Sequence, residues 1–408
     1  MINNQKLIIK KRKKSIQNFK KTKLVIVNKK NKNSFKDENI LLDKIMNNPV
    51  EYSKSSISLT KLISKSEKKS GGIFFTPPST VIENIKFLSP YLGNIKDVLE
   101  PSCGSCEFIL MLKYFYPSLN ITGIEYNKTI FDHIKKLHQD KFKLKNEDFL
   151  ISKFDRKYDL IIGNPPYFVM KKKDVDQSYY DFFEGRPNIF ILFILKSLKL
   201  LNKNGIVSFV LPKNFLNCLY YNKTRKHIFD NYSVLNITDV SKHKYIETQQ
   251  DTITLVVQNK KPTNNKVFTL NISGFSIFST KGNIKNLIKL YYNSKTLKEL
   301  GFTVSVGNVV WNQCKDQLTN NSNKTLLIYS SDISNNKLSI KKYSNKEKKN
   351  YINKEGSKDT ILVINRGYGV GSYNFNYCII NEKENIEYLI ENHLICIKYT
   401  QPIKKKKI

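Results

Sequence analysis

The sequence contains no alanine, a single tryptophan and only five arginines among its 69 cationic residues. Lysine carries almost all the positive charge, and with abundant asparagine and isoleucine it marks a very AT-rich coding sequence. Part of the net charge of +35 is therefore codon bias. The remainder points to a polyanionic partner, because neutralisation of phosphates by cations dominates nucleic-acid affinity.

Long apolar runs are missing too. The longest, such as IFILFIL at residues 189–195, fall far short of the roughly 20 residues that a spanning helix needs. No secretory signal is visible. These absences lead us to expect no membrane partner and an intracellular chain, cytoplasmic or, if virus-encoded, in the infected cell. The six cysteines are scattered along the chain, so reduced thiols are expected rather than a disulfide framework. Cys103 and Cys106 form a CxxC, but no second pair or histidines follow at zinc-ligand spacing, and no metal site is expected.

With 408 residues, 40% of them apolar, the chain is long enough for two domains. Residues 1–70 are dense in Lys, Asn and Ser, carry KKRKK at 10–14, and read as a largely disordered basic arm with one short helix over 34–47. From residue 71 the runs IKDVLEP, NITGIEY, YDLIIGN and GIVSFVLP alternate with helical stretches, followed by SVLNITDV and TITLVVQN. Strands alternating with helices predict an α/β domain on a mostly parallel sheet over 71–265. The polar NKKPTNNK at 259–266 suggests a boundary, with a second, mixed α/β domain over 266–408. In that domain Trp311 is expected in the core and His393 to be buried and structural.

VLEPSCGSCEF runs from a strand through Glu100 and Gly104 into a helix, the turn at which doubly wound sheets bind ligands. The next strand ends on Glu125, roughly 20 positions on, where a carboxylate accepts ribose hydroxyls, and Tyr126 is placed to lie on an adenine. A third strand end, NEDF, offers Asp148 to an adenine amino group and Phe149 as an apolar wall. The GxGxxG fingerprint is incomplete and the turn has no basic residue. A carboxylate at Glu100 repels pyrophosphate and suits a cofactor bearing a sulfonium and an amino-acid tail.

At residues 158–170, YDLIIGNPPYFVM stops an apolar strand on an amide, two prolines and an aromatic ring. Asn-Pro-Pro is ordinary turn chemistry. It also places the Asn164 side-chain oxygen beside the Pro165 carbonyl, two acceptors for one planar amino group, with Tyr167 ready to stack on the ring that carries it.

The ordered set FFTPP, VLEPSCGSCEF, GIEYN, EDF, LIIGNPPY and RPNIFILFILKSLKLLNKNGIVSFVLP resembles the gamma group of DNA adenine-N6 methyltransferases of restriction-modification systems. The resemblance implies a Rossmann-like fold, S-adenosylmethionine as cofactor, duplex DNA as substrate, a monomer, and a separate cognate restriction endonuclease as partner. Carried over position by position, it implies Thr76 and Pro77 over the methionine part of the cofactor and Glu100, Ser102 and Gly104 on its amino-acid end. Glu125 and Tyr126 would take the ribose and flank the adenine, Asp148 and Phe149 the adenine, with Phe193 and Asn164 also lining the pocket. Asn164, Pro165, Pro166 and Tyr167 form the catalytic loop, and Tyr245 is the candidate for a second aromatic against the target base.

Sequence choice is expected in the second domain, where Arg366 sits in NRGYGVGSYNF and arginine is the usual reader of guanine. A glycine-rich hairpin with a surface arginine is the plain alternative. The same NPPY loop also serves methylation of cytosine N4, RNA or protein glutamine, and a non-enzymatic DNA-binding protein on this fold is a further alternative.

Overall fold

The computed structural model describes residues 51–138, 140–272, 274–366 and 375–400. The cationic runs at 10–14 and 402–408, the helix expected over 34–47 and the glycines at 367, 369 and 371 lie outside the described residues. Among the described residues the chain divides into two compact units, one comprising 51–65 and 75–149, the other 66–74 and 150–400.

The disorder expected up to residue 70 is corrected over residues 54–70, the part of that arm that forms helices among the described residues. Helix α1 (Lys54–Leu62) is capped by Ser53, whose side chain accepts the Ser56 N–H, and helix α2 (Lys65–Gly71) follows as part of the second unit. Few apolar positions mark α1 in sequence, yet Leu59 and Ile63 are buried. Its polar anchor is tertiary: Ser56 Oγ donates to Glu107 Oε1 at 2.5 Å. Helix α3 (Pro78–Leu92) begins on two prolines, which suit a first turn whose N–H groups have no intrahelical partner.

Strands β1 (Asp97–Glu100), β2 (Asn120–Ile124) and β3 (Phe142–Lys145) run parallel in the order β3-β2-β1. Helix α4 (Glu107–Phe115) connects β1 to β2 and buries Phe108, Ile109, Leu112 and Phe115, a spacing that keeps one face of a 3.6-residue helix apolar. Each such side chain contributes about 1.5–3 kcal/mol on burial. Helix α5 (Lys128–Ile134) follows β2, with Asn127 as its cap.

In the second unit β4 (Tyr158–Gly163) pairs parallel with β5 (Leu201–Pro212). β6 (Ser233–Asp239) and β7 (Thr252–Gln258) add antiparallel strands in the order β4-β5-β7-β6. Helix α6 (Ile189–Lys199) connects β4 to β5 and is buried on almost every side, as its sequence requires. Helix α7 (Asn222–Asn231) leads into β6. The fold class is the expected one, α/β and Rossmann-like.

The polar stretch near 265 is not a free linker. Asn265 is buried; its side chain accepts the Val234 N–H at 2.7 Å and donates to the carbonyls of Phe229 and Tyr232. The hairpin β8 (Thr269–Ile272) and β9 (Phe275–Phe278) is tied back in turn by Arg225 of α7, fully buried and without an acidic hydrogen-bond partner in the described contacts. Its guanidinium donates to the carbonyls of Ser276, Phe215 and Cys218, at 2.5, 2.9 and 2.8 Å. The chain therefore does not divide at 265/266.

Beyond the exposed helix α8 (Lys281–Tyr291) lie two four-stranded sheets. One has the order β10-β19-β16-β17, from β10 (Phe302–Val306), β16 (Ile361–Asn365), β17 (Tyr377–Ile380) and β19 (Leu394–Tyr399). The other has the order β11-β15-β12-β18, from β11 (Leu318–Thr319), β12 (Thr325–Ile328), β15 (Tyr351–Ile352) and β18 (Tyr388–Ile390). A small hairpin of β13 (Ile333–Ser334) and β14 (Lys337–Leu338) stands beside them. Trp311 packs at the margin of one cluster of this core. His393 differs from expectation: its side chain is partly exposed, and Nδ1 is bonded to the buried carboxylate of Glu391.

Replacing Arg225 by methionine fills similar volume but leaves three carbonyls without their donor, each costing about 1–3 kcal/mol. Urea denaturation of Arg225→Met should therefore show a loss of roughly 3 kcal/mol or more. A loss under about 1 kcal/mol would mean that the carbonyls find other partners.

Candidate active site

In the first unit the turn after β1 is closed by two backbone bonds, from Cys103 N–H to the Ile124 carbonyl at 2.8 Å and from Cys106 N–H to the Cys103 carbonyl at 2.7 Å. Gly104 takes φ +51°, and a side chain there would meet the ring of Phe75 at 3.7 Å. Phe75 of the FFTPP motif thus reaches the glycine turn, with Thr76 buried and Pro77 at the head of α3.

Two carboxylates converge on this turn. Glu125 is buried at the end of β2, where Oε2 accepts the Gly104 N–H and Oε1 the Asn127 N–H, both at 2.8 Å. Burial pushes its carboxyl up to about 7 despite those two donors. Glu100 is 2% exposed. Burial chiefly, and the neighbouring Cys106 and Glu125, hold its carboxyl well above the ordinary range, although the Ile109 N–H at the start of α4 acts in the opposite direction. Its Oε2 has no hydrogen-bond partner among the described residues. A buried acceptor without a donor, beside a turn where Gly104 carries no side chain, fits a ligand that brings its own N–H or cation.

Ser102 is half-buried in the same turn, Tyr126 is 76% exposed, and after β3 Asp148 is half-buried and Phe149 buried. Sequence reading overlooked three residues here. Asn146 donates to the carbonyls of Glu125 and Tyr126, at 2.7 and 3.1 Å, and so shapes the end of β2. Glu107 and Ser56 brace the turn from behind, Ser56 Oγ lying 2.7 Å from Ser105 Oγ. Asn146 had a signal, a polar residue directly after a strand; Ser56 lies in a stretch read as disordered.

In the second unit β4 ends at Gly163 and the next four residues are Asn164, Pro165, Pro166 and Tyr167. Prolines cannot donate, so this loop is held by side chains and by its neighbours. Tyr167 Oη lies 2.5 Å from Asn164 Oδ1 and 2.9 Å from the Val210 carbonyl of β5. The Asn164 amide nitrogen lies 3.4 Å from the Phe74 carbonyl and 3.5 Å from Tyr245 Oη. Tyr245, from the β6–β7 connection, is thus brought to Asn164 across 81 positions. Desolvation raises both tyrosine hydroxyls above their usual value, keeping them neutral donors.

The Tyr167 ring stands edge-on to Phe190 of α6, centroids 6.0 Å apart, and Phe193 is buried on the same helix. Gly72, at φ +62°, lies so close that a side chain would come within 2.6 Å of the Tyr167 backbone nitrogen. Lys68 of α2 meets both oxygens of Glu247, at 2.9 and 2.7 Å. Arg366 is exposed at the end of β16.

A Rossmann-like α/β fold with buried carboxylates at a glycine turn and an Asn-Pro-Pro-Tyr strand end defines an S-adenosylmethionine-dependent methyltransferase. The chain belongs to the Eco57I restriction-modification methylase family, whose model matches residues 2–246. It is similar to the Type II methyltransferase M.CvrRI of Paramecium bursaria Chlorella virus XZ-6E, 30% identical over 85% of this chain and 88% of that one. It is also similar to the modification methylase CviBIII of Paramecium bursaria Chlorella virus NC1A, 30% identical over 53% of this chain and 57% of that one. With the Type II methyltransferase M.AccI of Acinetobacter calcoaceticus the identity is 30% over 47% of this chain and 36% of that one.

The raised carboxyl of Glu125 sets a pH dependence. Below about 4.5 it is protonated folded or unfolded; between there and about 7 the unfolded chain ionises first, so the folded state holds more protons and stability falls as pH rises. A neutral Glu125→Gln side chain does not pay this ionisation cost. Urea denaturation across pH should show the stability difference moving in favour of the variant up to about pH 7 and flat above it. A difference independent of pH would mean that Glu125 ionises normally.

Proposed function

We propose that the protein methylates the N6 amino group of adenine in duplex DNA, with the target base turned out of the helix. The observation that carries this reading is the Asn164 carboxamide at the end of β4, flanked by Tyr167 on one side and Tyr245 on the other. An adenine amino nitrogen shares its lone pair with the ring and is a weak nucleophile. Acceptors at Asn164 Oδ1 and the Pro165 carbonyl would draw its two hydrogens into a pyramidal arrangement and stabilise the positive charge that develops on transfer. Asn164 Oδ1 now holds the Tyr167 hydroxyl, so an arriving amino group replaces a donor already present and the oxygen stays hydrogen-bonded throughout.

Bound S-adenosylmethionine supplies an activated methyl on a sulfonium centre. Thr76, Pro77, Glu100, Ser102, Gly104, Glu125, Tyr126, Asp148 and Phe149 would hold it. The unpartnered Glu100 oxygen suits the ammonium of the amino-acid tail. The Glu125 carboxylate has lone pairs left for ribose hydroxyls beyond its two backbone donors.

An amino group inside a duplex cannot reach such a loop, and extruding the base costs a few kcal/mol. Stacking on Tyr167, roughly 1–3 kcal/mol per base, offsets much of that. Exposed Arg366 would read a guanine in the recognition sequence. The two small sheets beyond α8 would supply the DNA-reading surface in this scheme, and a separate cognate endonuclease would cut the unmodified sequence. A monomer suffices for this chemistry.

Genomic DNA incubated with the protein and labelled S-adenosylmethionine, then sequenced for modified bases, should carry N6-methyladenine in one sequence context. N4-methylcytosine, or label in RNA or protein alone, would overturn the reading. Asn164→Ala should lower transfer by about 10²–10³-fold while cofactor and DNA binding persist. Tyr167→Phe, which keeps the ring, should remain active, whereas Tyr167→Ala should lose about tenfold or more.

A further inference from the structure

We propose that residues 68–74, which run into the first residue of the FFTPP motif, are a bracket that sets the base-holding loop, with the Lys68–Glu247 ion pair as its latch. This rests on the reading of Asn164, Tyr167 and Tyr245 given above. Three contacts of this short stretch end on three different parts of that constellation. Lys68 Nζ holds both oxygens of Glu247, two residues after Tyr245. Gly72 lies against the Tyr167 backbone nitrogen with no room for a side chain. The Phe74 carbonyl faces the Asn164 amide nitrogen at 3.4 Å. A bond from Ile73 N–H to the Lys68 carbonyl, at 2.9 Å, closes the stretch on itself, so the three contacts are mechanically linked.

The latch acts where regular structure is absent. Tyr245 and Glu247 lie between β6 and β7, in a stretch assigned neither helix nor strand. A charge pair there has a definite asymmetry. The Lys68 side chain is 6% exposed and that of Glu247 29%, so the lysine is committed to this one place while the carboxylate reaches it from the surface. A buried ammonium needs an anion close by, and this need fixes where Glu247 stands. With Glu247 fixed, Tyr245 two residues earlier has little freedom to leave Asn164. Lys68, Gly72 and Glu247 are positioning residues: none touches a reacting atom.

Lys68→Met is the direct test, because it leaves Glu247 able to turn to water. Single-turnover transfer should fall about 10-fold to 100-fold, the scale of a misplacement near 1 Å. Cofactor Kd and thermal midpoint should stay near native. A duplex with 2-aminopurine at the mapped target position should show a weaker rise in fluorescence on binding, since the extruded base is held less well. Lys68→Arg, which keeps the charge, should restore most of the rate. Gly72→Ala, which touches the loop without touching the ion pair, should reproduce the rate loss.

A native single-turnover rate in Lys68→Met overturns the proposal. So does a loss that tracks thermal midpoint and cofactor Kd alike, which a merely structural role would produce. If Asn164→Ala abolishes transfer while Lys68→Met does not, the bracket alone fails. If Asn164→Ala keeps transfer, the base-holding reading and the bracket fail together.

Discussion

The Asn164 carboxamide is the contact on which the centre of the second unit converges. Its oxygen faces the Tyr167 hydroxyl, and its nitrogen faces a carbonyl from before α3 and a phenol from the β6–β7 connection. Two prolines follow it, so the backbone beyond offers no N–H until Tyr167. A strand stopped in this way cannot hold its own end. The surrounding chain supplies what the loop lacks, and for that reason distant segments meet there.

The first unit solves a different problem, that of keeping carboxylates where water is excluded. Glu125 is tolerable because two backbone N–H groups point at it, and those same bonds define the turn at Gly104 and the start of α5. Glu100 is less well satisfied, with one oxygen left without a donor among the described residues. Such an imbalance costs stability in the free protein and suits a site whose ligand carries positive charge. The carboxyls raised by burial and the orphaned oxygen thus have one cause, desolvation at the mouth of a parallel sheet.

The methylase family explains the order of the motifs, and the chemistry of an amide, two prolines and a tyrosine explains why that order is useful. The expectation of a disordered arm fails over residues 54–70, and for a physical reason. Residues 54–62 have little apolar patterning, and their helix is held by Ser56 on Glu107 and by Leu59 in the core, contacts made with chain some 50 positions away. The boundary expected at 265/266 shows the same weakness. Polar composition suggested a linker, but Asn265 spends its polarity on the backbone around Val234.

Local chemistry alone determined much of this protein. The strands β1, β2, β4, β5, β6 and β7, the buried helix α6, the acidic ends of β1 and β2, and the loop at Asn164 all follow from short-range pattern. Aliphatic runs, turn residues and a strand broken by prolines act over a few positions, and their meaning survives without a fold. Only the tertiary structure decided that Tyr245 reaches Asn164, that Lys68 pairs with Glu247 over 179 positions, and that Arg225 closes three carbonyls. Those pairings leave no periodicity in the chain, because a hydrogen bond or an ion pair depends on where two groups meet and not on how many residues separate them.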